Sequence, residues 1–196
     1  MEQIEHPLPD RPRCKWCNLE NPLYIQYHDT EWGVPCHDDH TLYELLILES
    51  FQAGLSWETV LNKRARFRAV YDGFDIDKVC AYSEGKIAQL LEDKGIIRNR
   101  LKIRASIQNS RIFREIQEEC GSFDQYIWGW TDGNIIYESD PAVTTSPLSD
   151  AISRDLKKRG MTFVGSTILY AYLQAIGVIN GHSEVCYLHT TVESST

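Results

Sequence analysis

The sequence has no run of eighteen apolar residues, so no segment of it reads as a membrane-spanning helix. Its first residues lack a basic stretch followed by an apolar one, the mark of a secretory signal, and a cytoplasmic location is expected. Segments alternating with period two are few, which argues against a sheet-based fold. Internal repeats and low-complexity tracts are also missing. Cysteine is sparse: six residues (14, 17, 36, 80, 120 and 186) are spread unevenly over 196. In a reducing compartment such spacing favours free thiols and metal ligands over a disulfide framework. Positive charge is short as well, with a net charge of −8. Taken globally this disfavours a polyanionic partner. Between Lys94 and Arg114, however, there are seven basic residues and no acidic one, so a local basic face is expected to survive.

What is present reads as helices. Residues 1–12, with Pro7, Pro9 and Pro12, are expected as a loose tail, residues 13–190 as one domain, and 191–196 as a second tail. Thr41 with Glu44 predicts a capping box opening a helix through Leu42, Leu45, Leu46 and Glu49, broken at Gly54. Ser56 caps a second helix through Trp57, Val60 and Leu61. Ser83 opens one that carries Ile87, Leu90 and Leu91 and stops at Gly95. A longer helix runs from about Asn99 to Glu119, Ser122 with Gln125 caps another, and 131–147 is the longest loop. Ser149 starts a helix that stops at Gly160, and a last helix spans about Thr167 to Ile176, ending at Gly177. The expected fold class is all-α.

Three features go beyond a plain helical core. Glu49 falls three and four positions after Leu46 and Leu45, on the stripe that should be buried. It either turns outward at the helix end, meets an arginine, or marks a functional site. Large rings surround it in sequence: Trp16, Tyr24, Tyr27, Trp32 and Trp57. They are core packing or, beside a carboxylate, the wall of a pocket for a flat cationic ligand. Second, Cys14 and His28 near the start and His182 and Cys186 near the end make a four-ligand N/S set. Tetrahedral Zn2+ would be closed by such a set and would act structurally, tying the two ends together. Cys14 with Cys17 is an alternative metal pair, and His37, His40 and His189 are spare ligands. Third, Gly95, Ile97 and Arg98 sit in a turn between two helices, either a plain connection or a cradle for phosphate.

Together these residues resemble the 3-methyladenine DNA glycosylase I family, within the helix-hairpin-helix glycosylases. The resemblance rests on Arg13-Cys14-Lys15-Trp16, Pro22 to Asp29, Glu31-Trp32-Gly33-Val34-Pro35, Leu48-Glu49 and Gln52-Ala53-Gly54-Leu55-Ser56-Trp57. It continues through Gly95-Ile96-Ile97-Arg98, Lys157-Lys158-Arg159-Gly160, Phe163 to Thr167 and Gln174-Ala175-Ile176-Gly177. It implies that Cys14, His28, His182 and Cys186 hold zinc, and that Glu49 contacts a flipped base on which Trp57 stacks and to which Tyr27 hydrogen-bonds. Trp16, Trp32 and Tyr24 would line the same pocket, and Leu55 would wedge into the gap left in the base stack. The implied activity is hydrolytic excision of 3-methyladenine from alkylated double-stranded DNA, releasing the free base and leaving an abasic site. A monomer is expected. The sequence departs from the family at Ser50-Phe51, at the extra Cys17, and in the tail from Tyr187. Three other readings stay open: a damage-binding module without chemistry, a zinc hydrolase using Cys14, His28 and His182 with a bound water, and an aromatic small-molecule pocket with no DNA role.

Overall fold

The computed structural model describes residues 10–190. The first part of the expected N-terminal tail (1–9) and the C-terminal tail 191–196 lie outside the described residues. Pro12, at the end of the former, accepts a hydrogen bond from the Tyr187 N–H at 2.8 Å.

Ten α-helices, a short 3-10 helix (Asp72–Phe74) and one two-stranded pairing make up the described chain. Helix α1 (Pro22–Thr30) begins with proline at its first position and Asn21 as its cap, a pairing that needs no amide from Pro22. Helix α2 (Asp39–Gln52) is the centre of the molecule. Its residues from Leu42 to Phe51 are all buried, as in a helix surrounded by others. It starts earlier than Thr41-x-x-Glu44 predicts, because Asp38 supplies the cap, accepting from both the Thr41 N–H and its hydroxyl. Glu44 is thereby released into the interior, where it pairs with Arg64 and Arg68. Ser56 caps α3 (Trp57–Leu61) as expected. Helices α4 (Arg64–Val70) and α5 (Ile76–Cys80), too short to show a period, follow. Ser83 caps α6 (Glu84–Glu92), which ends at Asp93 rather than at Gly95.

Asn99 caps α7 (Arg100–Cys120), the longest helix, and Ser122 caps α8 (Phe123–Gly129). Helix α9 (Pro147–Arg159) starts two residues before the expected Ser149. Ser146 and Ser149 form a reciprocal box around Pro147, and Gly160 stops the helix in the left-handed conformation. Helix α10 (Ser166–Ala175) lies on α9 and α2. The one departure from a purely helical fold is a parallel pairing of β1 (Ile136–Tyr137) with β2 (Ile179–Asn180), which fastens the 131–147 loop to the segment after α10.

Gly177 fixes how α10 meets the start of the chain. It has φ +76°, and the Cys36 and Gly33 N–H groups bond the carbonyls of Ile176, which caps the helix, and of Gln174. A Cβ at Gly177 would collide with the Val34 carbonyl and the Pro35 nitrogen. Gly177→Ala is therefore expected to destabilise the fold by roughly 3 kcal/mol. Thermal denaturation should show a clearly lower midpoint, whereas Gly133→Ala, with positive φ but open space, should lose less.

Candidate active site

The end of α2 brings Glu49 to the wall of a small cavity of about 160 Å³. Its other walls are Trp16, Tyr24 and Tyr27 of α1, Trp32, Gln52, Trp57 at the start of α3, and Ala171 and Gln174 of α10. The rings are set at angles: Trp16 meets Trp32 edge-on at 4.7 Å, and Tyr27 lies 5.3 Å from Trp57. Glu49 and all five aromatic residues singled out from the sequence are thus gathered around one space.

The electrostatics of that space are unusual. Four buried side-chain polar atoms among the described residues lack a hydrogen-bond partner: Glu49 Oε2, Gln52 Oε1, Trp57 Nε1 and the Tyr170 hydroxyl. Three of the four line this cavity, and buried polar groups are otherwise almost always satisfied. Burial alone holds the Glu49 carboxyl well above the usual carboxylate range, since no cation relieves it. Glu44, five residues earlier, has Arg64 and Arg68. The cavity therefore presents two acceptors and one donor among ring edges and faces. That suits a flat ring with N–H donors, above all one carrying positive charge.

A larger groove of about 790 Å³ lies beyond Trp16, Trp32, Ala171 and Gln174, which wall both spaces. Glu138, Asp140 and Glu184 border it. The chemistry points to the smaller cavity, where the unpaired carboxyl sits.

Behind the Trp16 and Trp32 wall, Cys14, His28, His182 and Cys186 converge, all buried, with one ligand atom from each within 4.8 Å of the others. Cys14 Sγ is 3.6 Å from His182 Nδ1, and Cys186 Sγ is 3.5 Å from His28 Nε2. The outward nitrogens are held as well. His28 Nδ1 meets Asp29 at 2.8 Å, Asp29 pairs with Arg13, and His182 Nε2 meets the Trp32 carbonyl. Burial opposes ionisation of the Cys14 thiol, but hydrogen bonds from His182 and His28 outweigh it and hold the thiol down to about 5. Cys17 points away, toward the Tyr24 carbonyl, and burial pushes it up to about 11. His37, His40 and His189 bond Asp124, the Gly73 carbonyl and the His182 carbonyl, outside the cluster.

Leu55 is 42% exposed in the turn between α2 and α3, next to Trp57. The turn from Asp93 to Asn99 joins α6 and α7. Its Gly95 N–H is already taken by the Asp93 carboxylate, which pairs with Arg66. Among the described residues the Ile97 and Arg98 amides remain without an acceptor. The expected basic face is smaller than its seven cations. Lys102 is buried against the Phe51 and Ala53 carbonyls, Arg104 pairs with Glu84, Arg114 with Asp77, and Arg111 bonds the Cys80 carbonyl.

Gln52, Ala171 and Gln174 were not singled out from the sequence as site residues. Gln52 sits three positions after Glu49, and that spacing on α2 is the one signal that could have found it. A second helical hairpin was also missed. Residues 160–165 join α9 to α10, which has Gly165 at its cap position and no side-chain cap. Lys157-Lys158-Arg159 just before it was the available signal.

Fold and pocket together define a helical protein with an unpaired carboxyl in an aromatic-walled cavity that suits a flat ring. A family model described as methyladenine glycosylase matches residues 16–189. A protein of Escherichia coli K12, DNA-3-methyladenine glycosylase 1, is 43% identical over 181 residues, spanning 89% of this chain and 95% of its own. A crystal structure of 3-methyladenine DNA glycosylase I superposes with a TM-score of 0.87 at 43% identity, covering 91% of this chain and 100% of that one. A variant of 3-methyladenine DNA glycosylase I in complex with 3-methyladenine superposes with a TM-score of 0.84 at 29% identity, covering 89% and 96%. The chain belongs to the methyladenine glycosylase family.

The raised Glu49 carboxyl carries a cost to the fold that can be measured. A carboxyl whose folded value lies above its unfolded one supports folding below the usual 4.5, and that support is lost as pH rises toward the folded value. Glu49→Gln is expected to be more stable than the parent at neutral pH, by about 1–3 kcal/mol. The difference should shrink below pH 4.5, as denaturant titrations at two pH values would show.

Proposed function

We propose that this protein is a DNA repair glycosylase that turns 3-methyladenine out of alkylated DNA and removes it by hydrolysis, leaving an abasic site. The unpaired Glu49 carboxyl among aromatic rings carries this reading. A methyl group on N3 leaves adenine cationic and weakly bonded to deoxyribose, so the leaving group is already activated and needs no strong acid. The task is then recognition. Glu49, ionised beside the cation, accepts from the adenine edge, Trp57 stacks on the ring, Tyr27 hydrogen-bonds it, and Trp16, Trp32 and Tyr24 close the walls. Gln52 Oε1 adds a second acceptor. Neutral adenine gains less from the carboxylate, which supplies selectivity.

Extrusion costs a few kcal/mol, roughly, and least for a damaged base. Leu55, apolar and exposed beside the pocket, fills the vacated space. The turns at Gly95–Arg98 and at 160–165 grip the strand through backbone amides, the arrangement of a helix-hairpin-helix protein, with free amides supporting both assignments. Cleavage passes through an oxocarbenium-like sugar captured by water. No lysine lines the described pocket, which favours hydrolysis over a Schiff-base route. Asp93, engaged with Arg66 and the Gly95 amide, is not among its lining residues and is not assigned to that water.

The Cys/His cluster fits structural Zn2+. With Zn–S near ~2.3 Å and Zn–N near ~2.1 Å, the S···N edge of a tetrahedron is about 3.6 Å. The observed separations of 3.4–3.6 Å match it. Held by Cys14, His28, His182 and Cys186, such an ion would serve structurally, fixing the Trp16 and Trp32 wall, against which His28 and His182 pack at 5.2 and 4.7 Å.

Alkylated duplex DNA should release free 3-methyladenine when incubated with the protein, and Glu49→Gln should slow release by roughly 10–100-fold. A folded protein that bound such DNA and released nothing would be a damage sensor instead. Metal analysis should find one zinc per chain, retained in Cys17→Ser and lost in Cys186→Ala. Chelation is expected to unfold the protein; loss of activity with the fold intact would favour the zinc hydrolase.

A further inference from the structure

Helix α7 turns Lys102, Ser106, Asn109 and Ser110 into the interior. The two serines bond core tyrosine hydroxyls, Tyr71 and Tyr43. Lys102 and Asn109 instead hold backbone at the end of α2 and in the 160–165 turn, Asn109 also reaching the Ser50 hydroxyl at 3.5 Å. The Lys102 ammonium donates to the Phe51 carbonyl at 2.9 Å and the Ala53 carbonyl at 2.5 Å. It thereby supplies the donors that the end of α2 lacks and places a cation at the negative end of its dipole. Asn109 makes paired bonds with Thr162, its amide to the carbonyl at 2.9 Å and its oxygen from the N–H at 3.0 Å. The Lys102 ammonium also lies 5.9 Å from the ring of Phe163, which has φ +56°. One face of one helix thus fixes the end of the helix carrying Glu49, the turn carrying Leu55, and the 160–165 hairpin.

An ammonium buried to this extent is costly unless its donors are used. An apolar side chain would fill the space, but it would leave the carbonyls of Phe51 and Ala53 unbonded beside Gly54, whose φ of +78° lets the chain turn there. We propose that Lys102 is a positioning residue for base extrusion: through those two carbonyls it holds Leu55 at a fixed reach from the pocket and in register with the DNA-gripping hairpins. This rests on the reading of Leu55 as the residue that fills the vacated stack.

The test uses the full chain with Lys102→Met and Lys102→Gln, so that either variant that folds suffices, alongside Lys102→Arg and Leu55→Ala. Affinity for free 3-methyladenine reads the pocket. Fluorescence of 2-aminopurine placed beside the lesion reads extrusion, and single-turnover release reads the reaction. Expected in the uncharged variants are base affinity within about twofold of the parent and extrusion and release down about tenfold or more. Lys102→Arg should recover part of the loss. In the Leu55→Ala background, removing the Lys102 charge should add less than about twofold, because both act on one event. Equal losses of base affinity and release, or fully additive losses with Leu55→Ala, would make Lys102 an ordinary core residue and overturn the proposal. If Leu55→Ala impairs extrusion and the Lys102 variants do not, the proposal fails alone. If Leu55→Ala itself leaves extrusion intact, the wedge reading fails and takes the proposal with it.

Discussion

The arrangement of the site depends on one carboxyl left without a counter-charge. Glu49 and Glu44 are both buried on α2, five residues apart. Glu44 is matched by Arg64 and Arg68, whereas Glu49 faces rings and the unpaired atoms of Gln52 and Trp57. The protein has the means to neutralise a buried acid and does so at one position while withholding them at the other. The empty pocket therefore disfavours the carboxylate, and a cation seated there favours it, in a low-dielectric space where the attraction between the two is stronger than in water. On the proposed function, discrimination between a methylated, charged purine and its neutral parent rests on that difference and needs no acid to protonate the leaving group.

Such a pocket works only if its walls stay where they are. The rings on one side come from the first 32 residues, and the helix opposite comes from the last third of the chain. Cys14, His28, His182 and Cys186 close that separation, with Arg13, Asp29 and the Trp32 carbonyl fixing the histidine orientations. The parallel pairing of Ile136–Tyr137 with Ile179–Asn180 and the Gly177 contact with Val34 and Pro35 reinforce the same seam. The other side of the pocket is held from α7, where Lys102 bonds the backbone at the end of α2 and Asn109 bonds both the Thr162 backbone and the Ser50 hydroxyl.

Much of this was legible in the amino-acid order. Ser56, Ser83, Asn99 and Ser122 cap helices where their side chains and the apolar residues after them indicate. Glu49 stood out because a carboxylate broke an apolar stripe, and the four metal-type ligands stood out by residue type. Other features were hidden for physical reasons. Two caps were shifted: Asp38 competes with Thr41, and Pro147 allows α9 to begin before Ser149. Short helices such as α4 and α5 carry too few turns for a period to show. The basic run between Lys94 and Arg114 looked like a face, but its partners, Glu84, Asp77 and the ends of two helices, are distant in sequence. Gln52 looked like an ordinary polar residue until its unpaired oxygen was seen inside the cavity. Pairing and burial are tertiary facts, and these are the points at which one-dimensional reading stopped.

Recognition rests on the protonation state of one group, and isotope-edited infrared spectroscopy of the Glu49 carboxyl reads that state directly. The empty protein is expected to show a carboxylic-acid carbonyl band that persists above the pH at which exposed carboxyls ionise, replaced by carboxylate bands when 3-methyladenine fills the pocket and the proton passes to the base or to solvent. A carboxyl that is ionised in both states, or protonated in both, would contradict it.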